Sequence, residues 1–209
     1  MTMVSFIMPA YKGHFLRKAI DSIVGQTISD WELVIVDDCS PDNLKEIVDS
    51  YQNPRIRYIR NRQNIGGSDL VKQWNHSLSF ATGDFVVLAA DDDIYRPTFC
   101  EECIRLVEKY PQVDLIHSSV EQIDENGDHL WDDSILPEWT SRYEYLNTWL
   151  RGLSFTCIGN FMFRRAALIK NGGFWSRGNR CVKIDGARRS TDTSVRLVCF
   201  CWNRLAGVV

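Results

Sequence analysis

Residues 31–42 read WELVIVDDCSPD: a run from Trp31 to Val36 that is apolar at all but one position and then stops at two aspartates and a crowd of turn formers. A run of this kind is expected of a strand covered on both faces. Upstream, VSFIMP at 4–9 is a second such run, ending at a proline that predicts the end of its ladder. Between them Leu16, Ala19, Ile20, Ile23 and Val24 recur at spacings of three and four, which predicts a helix over 15–26 with one face on a core. The stretch therefore reads as strand, helix, strand, the unit from which parallel sheets are built.

The same alternation continues along the chain. Helices are predicted over 44–51, over 68–81 with Leu70, Val71, Trp74 and Leu78 on one stripe, and after Pro97 with Phe99, Cys103, Leu106, Val107 and Tyr110 on another. Strands are predicted at 56–59, 85–89 and 113–118, with a further helix over 143–151 and a strand-like stretch at 159–163. The turn formers spread from Asp124 to Pro137 read as an exposed hairpin or loop. The expected fold class is α/β, a mostly parallel central sheet flanked by helices on both faces.

The chain has 209 residues, a formal net charge of -3 and 44% hydrophobic residues, enough apolar material for one substantial core. That charge argues against a protein that holds nucleic acid by neutralising phosphates. Seven cysteines, an odd number in a chain too large to need staples, and a Met1 that leads into a strand without a basic leader are read as an intracellular protein with reduced thiols. No apolar run reaches the roughly 20 residues of a membrane span. Residues 175–209 differ from the rest: seven basic residues stand against two acids, Asp185 and Asp192, and no helical period persists. They are read as a divergent basic tail, truncated or disordered, after a domain over 1–174.

In an open parallel sheet, ligands bind beyond the carboxyl ends of the strands. Three predicted strands end there in punctuation of chemical interest: Pro9-Ala10-Tyr11, Asp37-Asp38 and Asp91-Asp92-Asp93. Adjacent carboxylates repel, and a divalent cation relieves them; hard oxygen ligands suit Mg²⁺ or Mn²⁺, which complete their shell with water and substrate phosphates. A diphosphate-bearing substrate follows. Asp38 offers acceptors to a nucleobase or ribose, and Tyr11 offers a flat face for stacking. Gly66-Gly67 belongs to neither a P-loop nor a dinucleotide fingerprint, and reads as a tight turn that lets backbone approach a ligand. Cys100 and Cys103 have CxxC spacing but fall inside a predicted helix, Cys103 on its buried stripe, so packing is favoured over redox or zinc chemistry. A phosphoacceptor receiver is imitated by Asp37-Asp38 and Lys109, but a full strand and helix precede that acidic pair.

Together these residues resemble the family 2 glycosyltransferases. The likeness runs from VSFIMPAYKGHFLRKAIDSIVGQTISDWELVIVDDCSPDN through NIGGS, WNHSLSFATGDFVVL and DDDIYRP, and more loosely to NFMFRRAALIKNGGF, about residues 4–174. The resemblance implies the GT-A fold and inverting transfer of a sugar from a nucleoside diphosphate donor, UDP-sugar favoured, to a hydroxyl of a glycan or lipid-linked acceptor. It implies that Pro9, Ala10, Tyr11, Asp38, Gly66 and Asp91 serve the donor and that Asp92 and Asp93 hold a divalent metal, Mn²⁺ or Mg²⁺. It also implies polysaccharide or glycoconjugate synthesis in the cytoplasm, at the inner face of the membrane. Three positions depart from the family pattern: Lys12 stands where asparagine is commoner, Cys39 where glycine is, and Ala90 at the usual first aspartate. The acidic pair that would supply a catalytic base after Gly172-Gly173-Phe174 is missing, and Asp185 is the weak substitute. The alternative is a protein that binds nucleotide sugar without transferring it.

Overall fold

A computed structural model of the chain describes residues 2–133, 136–154, 157–175 and, as backbone, 197–208. Strands β1 (Val4–Ala10), β2 (Trp31–Asp37), β3 (Ile56–Arg60) and β4 (Phe85–Leu88) alternate with helices α1 (Leu16–Val24), α2 (Leu44–Asp49) and α3 (Leu70–Leu78). After α4 (Phe99–Lys109) come a hairpin of β5 (Leu115–Ile123) and β6 (His129–Asp132), helix α5 (Arg142–Leu150), a short 3-10 turn, β7 (Phe161–Arg164), α6 (Arg165–Lys170) and β8 (Leu197–Val208).

The strand order is β3-β2-β1-β4-β7-β5-β6, with β8 paired to β5. The first four strands are parallel, as expected, with Ala10 opposite Asp37 and Ile7 opposite Leu88. β7 inserts antiparallel between β4 and β5, and the β5–β6 hairpin is antiparallel too. The alternation of strands and helices therefore describes the first half of the sheet better than the second. β8 lies parallel to β5.

Alternate side chains of each central strand go to opposite faces. Phe6, Met8, Leu33, Ile35, Phe85 and Val87 pack with the inner stripes of α1, α2 and α4. Ile7, Val34, Val36, Val86 and Leu88 pack instead with Leu78, Leu168 and Phe174. Both faces of the sheet are thus covered, the condition that makes its strands continuously apolar.

Three local expectations are corrected. β1 does not stop at Pro9 but pairs with β2 on to Ala10, while the β4 ladder ends earlier, at Ile7, so that Pro9, which has no N–H to donate, lies beyond it. α3 turns its Val71, Trp74 and Leu78 to the core as expected but leaves Leu70, at its first turn, 53% exposed, and buries Gln73 and Ser77 as well. Helix α6, directly after β7, carries no long apolar period and was not expected. Residues 176–196, which include Asp185 and Asp192, lie outside the described residues. Among the described residues no helix is long and apolar enough to cross a membrane.

Candidate functional site

The parallel register brings the ends of β1, β2 and β4 side by side, so the three clusters far apart in sequence share one rim. The Asp38 amide donates to Ala10 O at 2.9 Å, and the Ala89 amide to Ile7 O at 2.9 Å. The acidic segment is tied directly to the first strand end: Asp91 Oδ2 accepts the backbone N–H groups of Tyr11 at 2.8 Å and Lys12 at 3.0 Å. A carboxylate that accepts two amides from one loop fixes where that loop lies. Tyr11 is anchored on its other side as well, its carbonyl accepting Ser40 Oγ at 2.6 Å, while its ring stays 43% exposed.

The two aspartates ending β2 are divided. Asp37 is fully buried; its Oδ1 accepts the Ser40 amide, and its Oδ2 takes the Tyr58 hydroxyl and the Arg60 guanidinium. Those partners make it a brace for the β2–α2 turn. Asp38 is also buried, but its partners form the loop across the rim: Asn61 Nδ2 at 2.7 Å, the Ile65 amide at 2.9 Å and the Gly66 amide at 2.7 Å. Gly66 suits that close approach, since a Cβ there would lie 3.0 Å from Asp38 Oδ2 and would press on the carboxylate. Three hydrogen bonds leave about one of the roughly four lone-pair sites of the Asp38 carboxylate for a ligand.

Behind Asp38 stands a polar relay that the sequence reading missed. Asn61 Nδ2 also donates to Gln73 Oε1 at 2.9 Å, and Asn61 Oδ1 lies 3.0 Å from His76 Nε2. Because the Asp38 carboxylate takes Nδ2, Asn61 must turn its oxygen to His76, whose Nε2 then carries the hydrogen. This relay is why α3 buries Gln73 rather than Leu70. A signal was available: Asn61 directly follows β3, so it ends a strand on the same rim as Asp38.

The three consecutive aspartates have three environments. Asp91 is committed to the β1–α1 loop. Asp93 is 9% exposed and packs against Gly159, where a Cβ would come within 2.0 Å of its Oδ2. Burial and the charge of Asp93 push the thiol of nearby Cys157 up to about 12. Asp92 is intermediate: burial and the Asp91 charge raise its pKa, and Lys12 partly offsets them. A half-buried carboxylate whose charge is opposed by burial and a like neighbour is a group that a hard cation would relieve, so the residues fit a divalent ion at Asp92. Pro9 and Ala10 lie in β1 behind this rim, Ala10 only 1% exposed.

Other groups resolve into structure. Cys100 and Cys103 are buried in the core, and burial raises both thiols far out of the reactive range. His117 is 1% exposed and contacts Asn160 Nδ2 at 2.8 Å. On the β5–β6 hairpin Glu121, His129 and Asp132 bring ligand atoms within 4.8 Å of one another, but Glu121 pairs with Arg96 and His129 with Asp132.

A model of "Glycosyl transferase family 2" matches residues 5–172. The chain is 34% identical over 134 residues to an uncharacterized glycosyltransferase of Methanocaldococcus jannaschii, covering 61% of this chain and 45% of that protein. It is 35% identical over 98 residues to WcaA of Escherichia coli (strain K12), a glycosyl transferase named for colanic acid biosynthesis, covering 46% of this chain and 34% of that protein. The fold is shared with S. aureus TarS 1-349, at a TM-score of 0.74 and 19% identity over 99% of this chain and 60% of that one. Crystal structures of the same TarS fragment in complex with UDP and with UDP-GlcNAc both match at a TM-score of 0.72. The chain thus spans less than half the length of these two relatives and about 60% of that TarS fragment.

Proposed function

The chain belongs to glycosyl transferase family 2 and has the GT-A fold, and from that premise we propose that it moves a sugar from a nucleoside diphosphate sugar, UDP-sugar favoured, to an acceptor hydroxyl with inversion. The observation that carries this reading is the Asp91 bridge, which holds the Tyr11 end of β1 against the acidic segment. A nucleoside at Tyr11 and a diphosphate at Asp92 would then lie on one rim.

In this reading Pro9, Ala10 and Tyr11 form the nucleoside side, with the exposed Tyr11 ring as a stacking face. Asp38 uses its remaining lone pair on the base and, through Gly66, shapes the loop facing it. Asp91 sets the spacing between the two halves. Asp92 holds the divalent ion, Mn²⁺ or Mg²⁺, with Asp93 packed behind it. The metal supplies charge neutralisation for the departing diphosphate.

Inversion in one displacement requires the acceptor oxygen to attack the anomeric carbon as the bond to the diphosphate breaks, with the hydroxyl proton passing to a carboxylate. Asp185 is the sequence candidate for that base. The alternative reading is nucleotide-sugar binding without transfer. The similarity to WcaA supports a polysaccharide or glycoconjugate acceptor, glycan or lipid-linked. Such an enzyme works where nucleotide sugars are held, in the cytoplasm, and at the inner membrane face when its acceptor is lipid-linked.

Isothermal titration with UDP and GDP, each with and without Mn²⁺, tests the donor site. Metal-enhanced binding of UDP is expected. A folded protein that binds neither nucleotide would overturn the reading. Release of UDP from UDP-sugars, dependent on added acceptor, then separates transferase from binding protein.

A further inference from the structure

A nucleoside diphosphate brings two or more negative charges to a rim whose acidic segment alone carries three aspartates, so its binding depends on the positive charge available there. Most cations nearby are spoken for: Arg60 pairs with Asp37, Arg96 with Glu121 and Lys45 with Asp49. Lys12 differs. It is exposed, and among the described residues its ammonium has no ion-pair or hydrogen-bond partner. Its backbone is pinned to the acidic segment, with its amide 3.0 Å from Asp91 Oδ2. Its charge is also felt at Asp92. A flexible cation is thus tethered beside the one aspartate of the three that is neither committed to a loop nor buried.

We propose that Lys12 binds the diphosphate, its ammonium pairing with a phosphate oxygen and sharing with the metal the neutralisation of the rim, so that nucleotide binding keeps part of its strength when the metal is removed. This rests on the donor-site reading above. Lys12 carries its charge on a four-carbon stem without fixed geometry, which suits a point contact to phosphate rather than recognition of a base. The contact therefore discriminates between a nucleotide and its nucleoside.

The test is titration of UDP and of uridine into wild type, Lys12→Met and Lys12→Arg, in Mn²⁺ and in EDTA. In EDTA the Lys12→Met variant is expected to lose about tenfold in UDP affinity, the worth of one charge-assisted contact, with uridine affinity unchanged. Lys12→Arg is expected to restore most of the loss, and the salt dependence of UDP binding is expected to flatten in Lys12→Met alone. An unchanged preference for UDP over uridine in Lys12→Met, with wild type binding UDP, would overturn the role of Lys12 and leave the donor site standing. A folded wild type that binds neither ligand would overturn both. Because Lys12 is exposed, equal thermal midpoints for the three proteins are expected, and they exclude misfolding as the cause.

Discussion

The side-chain amide of Asn75 on α3 pairs with both backbone polar groups of Phe174: Nδ2 donates to the Phe174 carbonyl at 2.7 Å, and Oδ1 accepts the Phe174 amide at 2.8 Å. The two residues are 99 positions apart. One amide thus stands in for a strand neighbour and fixes where the chain leaves α6. The adjoining glycine is required twice over, since Gly173 has a φ of +80° and a Cβ there would lie 2.2 Å from Asn75 Oδ1. α3 consequently joins two regions, because its Gln73 and His76 reach Asn61 behind Asp38 while its Asn75 holds Phe174.

Replacing Asn75 by alanine removes both bonds and leaves two backbone groups of Phe174 without their partners. A loss of about 1–3 kcal/mol is expected in urea unfolding. Asn75→Asp keeps the acceptor and loses the donor, so its loss should come from the carbonyl side only. An Asn75→Ala variant as stable as wild type would mean that the apolar contacts of the Phe174 ring suffice to hold this segment.

Cys39 sits in the left-handed region at a φ of +58°, directly after Asp38. A side chain there is strained by roughly 1–2 kcal/mol, while glycine loses about 0.5–1 kcal/mol in backbone entropy on folding. Cys39→Gly is therefore expected to raise the unfolding free energy by about 0.5–1 kcal/mol. A drop in stability would show that the contacts of Cys39 outweigh the strain.

Burial, aided by the Asp91 charge, raises the pKa of Asp92 from its ordinary value. A group whose folded pKa is raised favours the folded state only while protonated, and that contribution is lost as pH rises through the folded value. At neutral pH Asp92→Asn is thus expected to raise Tm while abolishing the metal enhancement of UDP binding. The Tm difference should vanish below the ordinary carboxylate range, where both proteins carry a neutral group. A lower Tm at neutral pH would mean that Asp92 is compensated within the fold.

Glu32 shows the opposite sign. Burial opposes its charge, but hydrogen bonds from Ser5 Oγ at 2.6 Å and from the Thr82 amide and hydroxyl, both at 2.7 Å, together with Arg57, hold its pKa below the usual value. Its stabilisation is present above the unfolded pKa and is lost as pH falls through the depressed one. Glu32→Gln is expected to cost about 1–2 kcal/mol at neutral pH, with the gap closing in acid. A gap independent of pH would assign the effect to shape rather than charge.

Local pattern carried much of this protein. Apolar runs closed by polar punctuation located β1, β2 and β4, and helical spacing located α1 and α4, because burial on a sheet face or a helix stripe imposes a period that a linear string displays. The same logic placed Tyr11, Asp38 and Asp91 to Asp93 on one rim, since parallel strands necessarily share a carboxyl edge. The strand at β7 was legible but its antiparallel insertion escaped it: nothing in Phe161–Arg164 says which strands it will join. The division of labour among the aspartates escaped it as well. Asp37 and Asp38, or Asp91, Asp92 and Asp93, are identical letters, and only the groups folded against each decide which braces a turn, which fastens a loop and which stays half-buried at the rim. Those partners, Arg60, Asn61, Tyr11 and Gly159, come from distant parts of the chain. Hydrogen bonds and burial depend on position in space, so the tertiary structure alone could assign them.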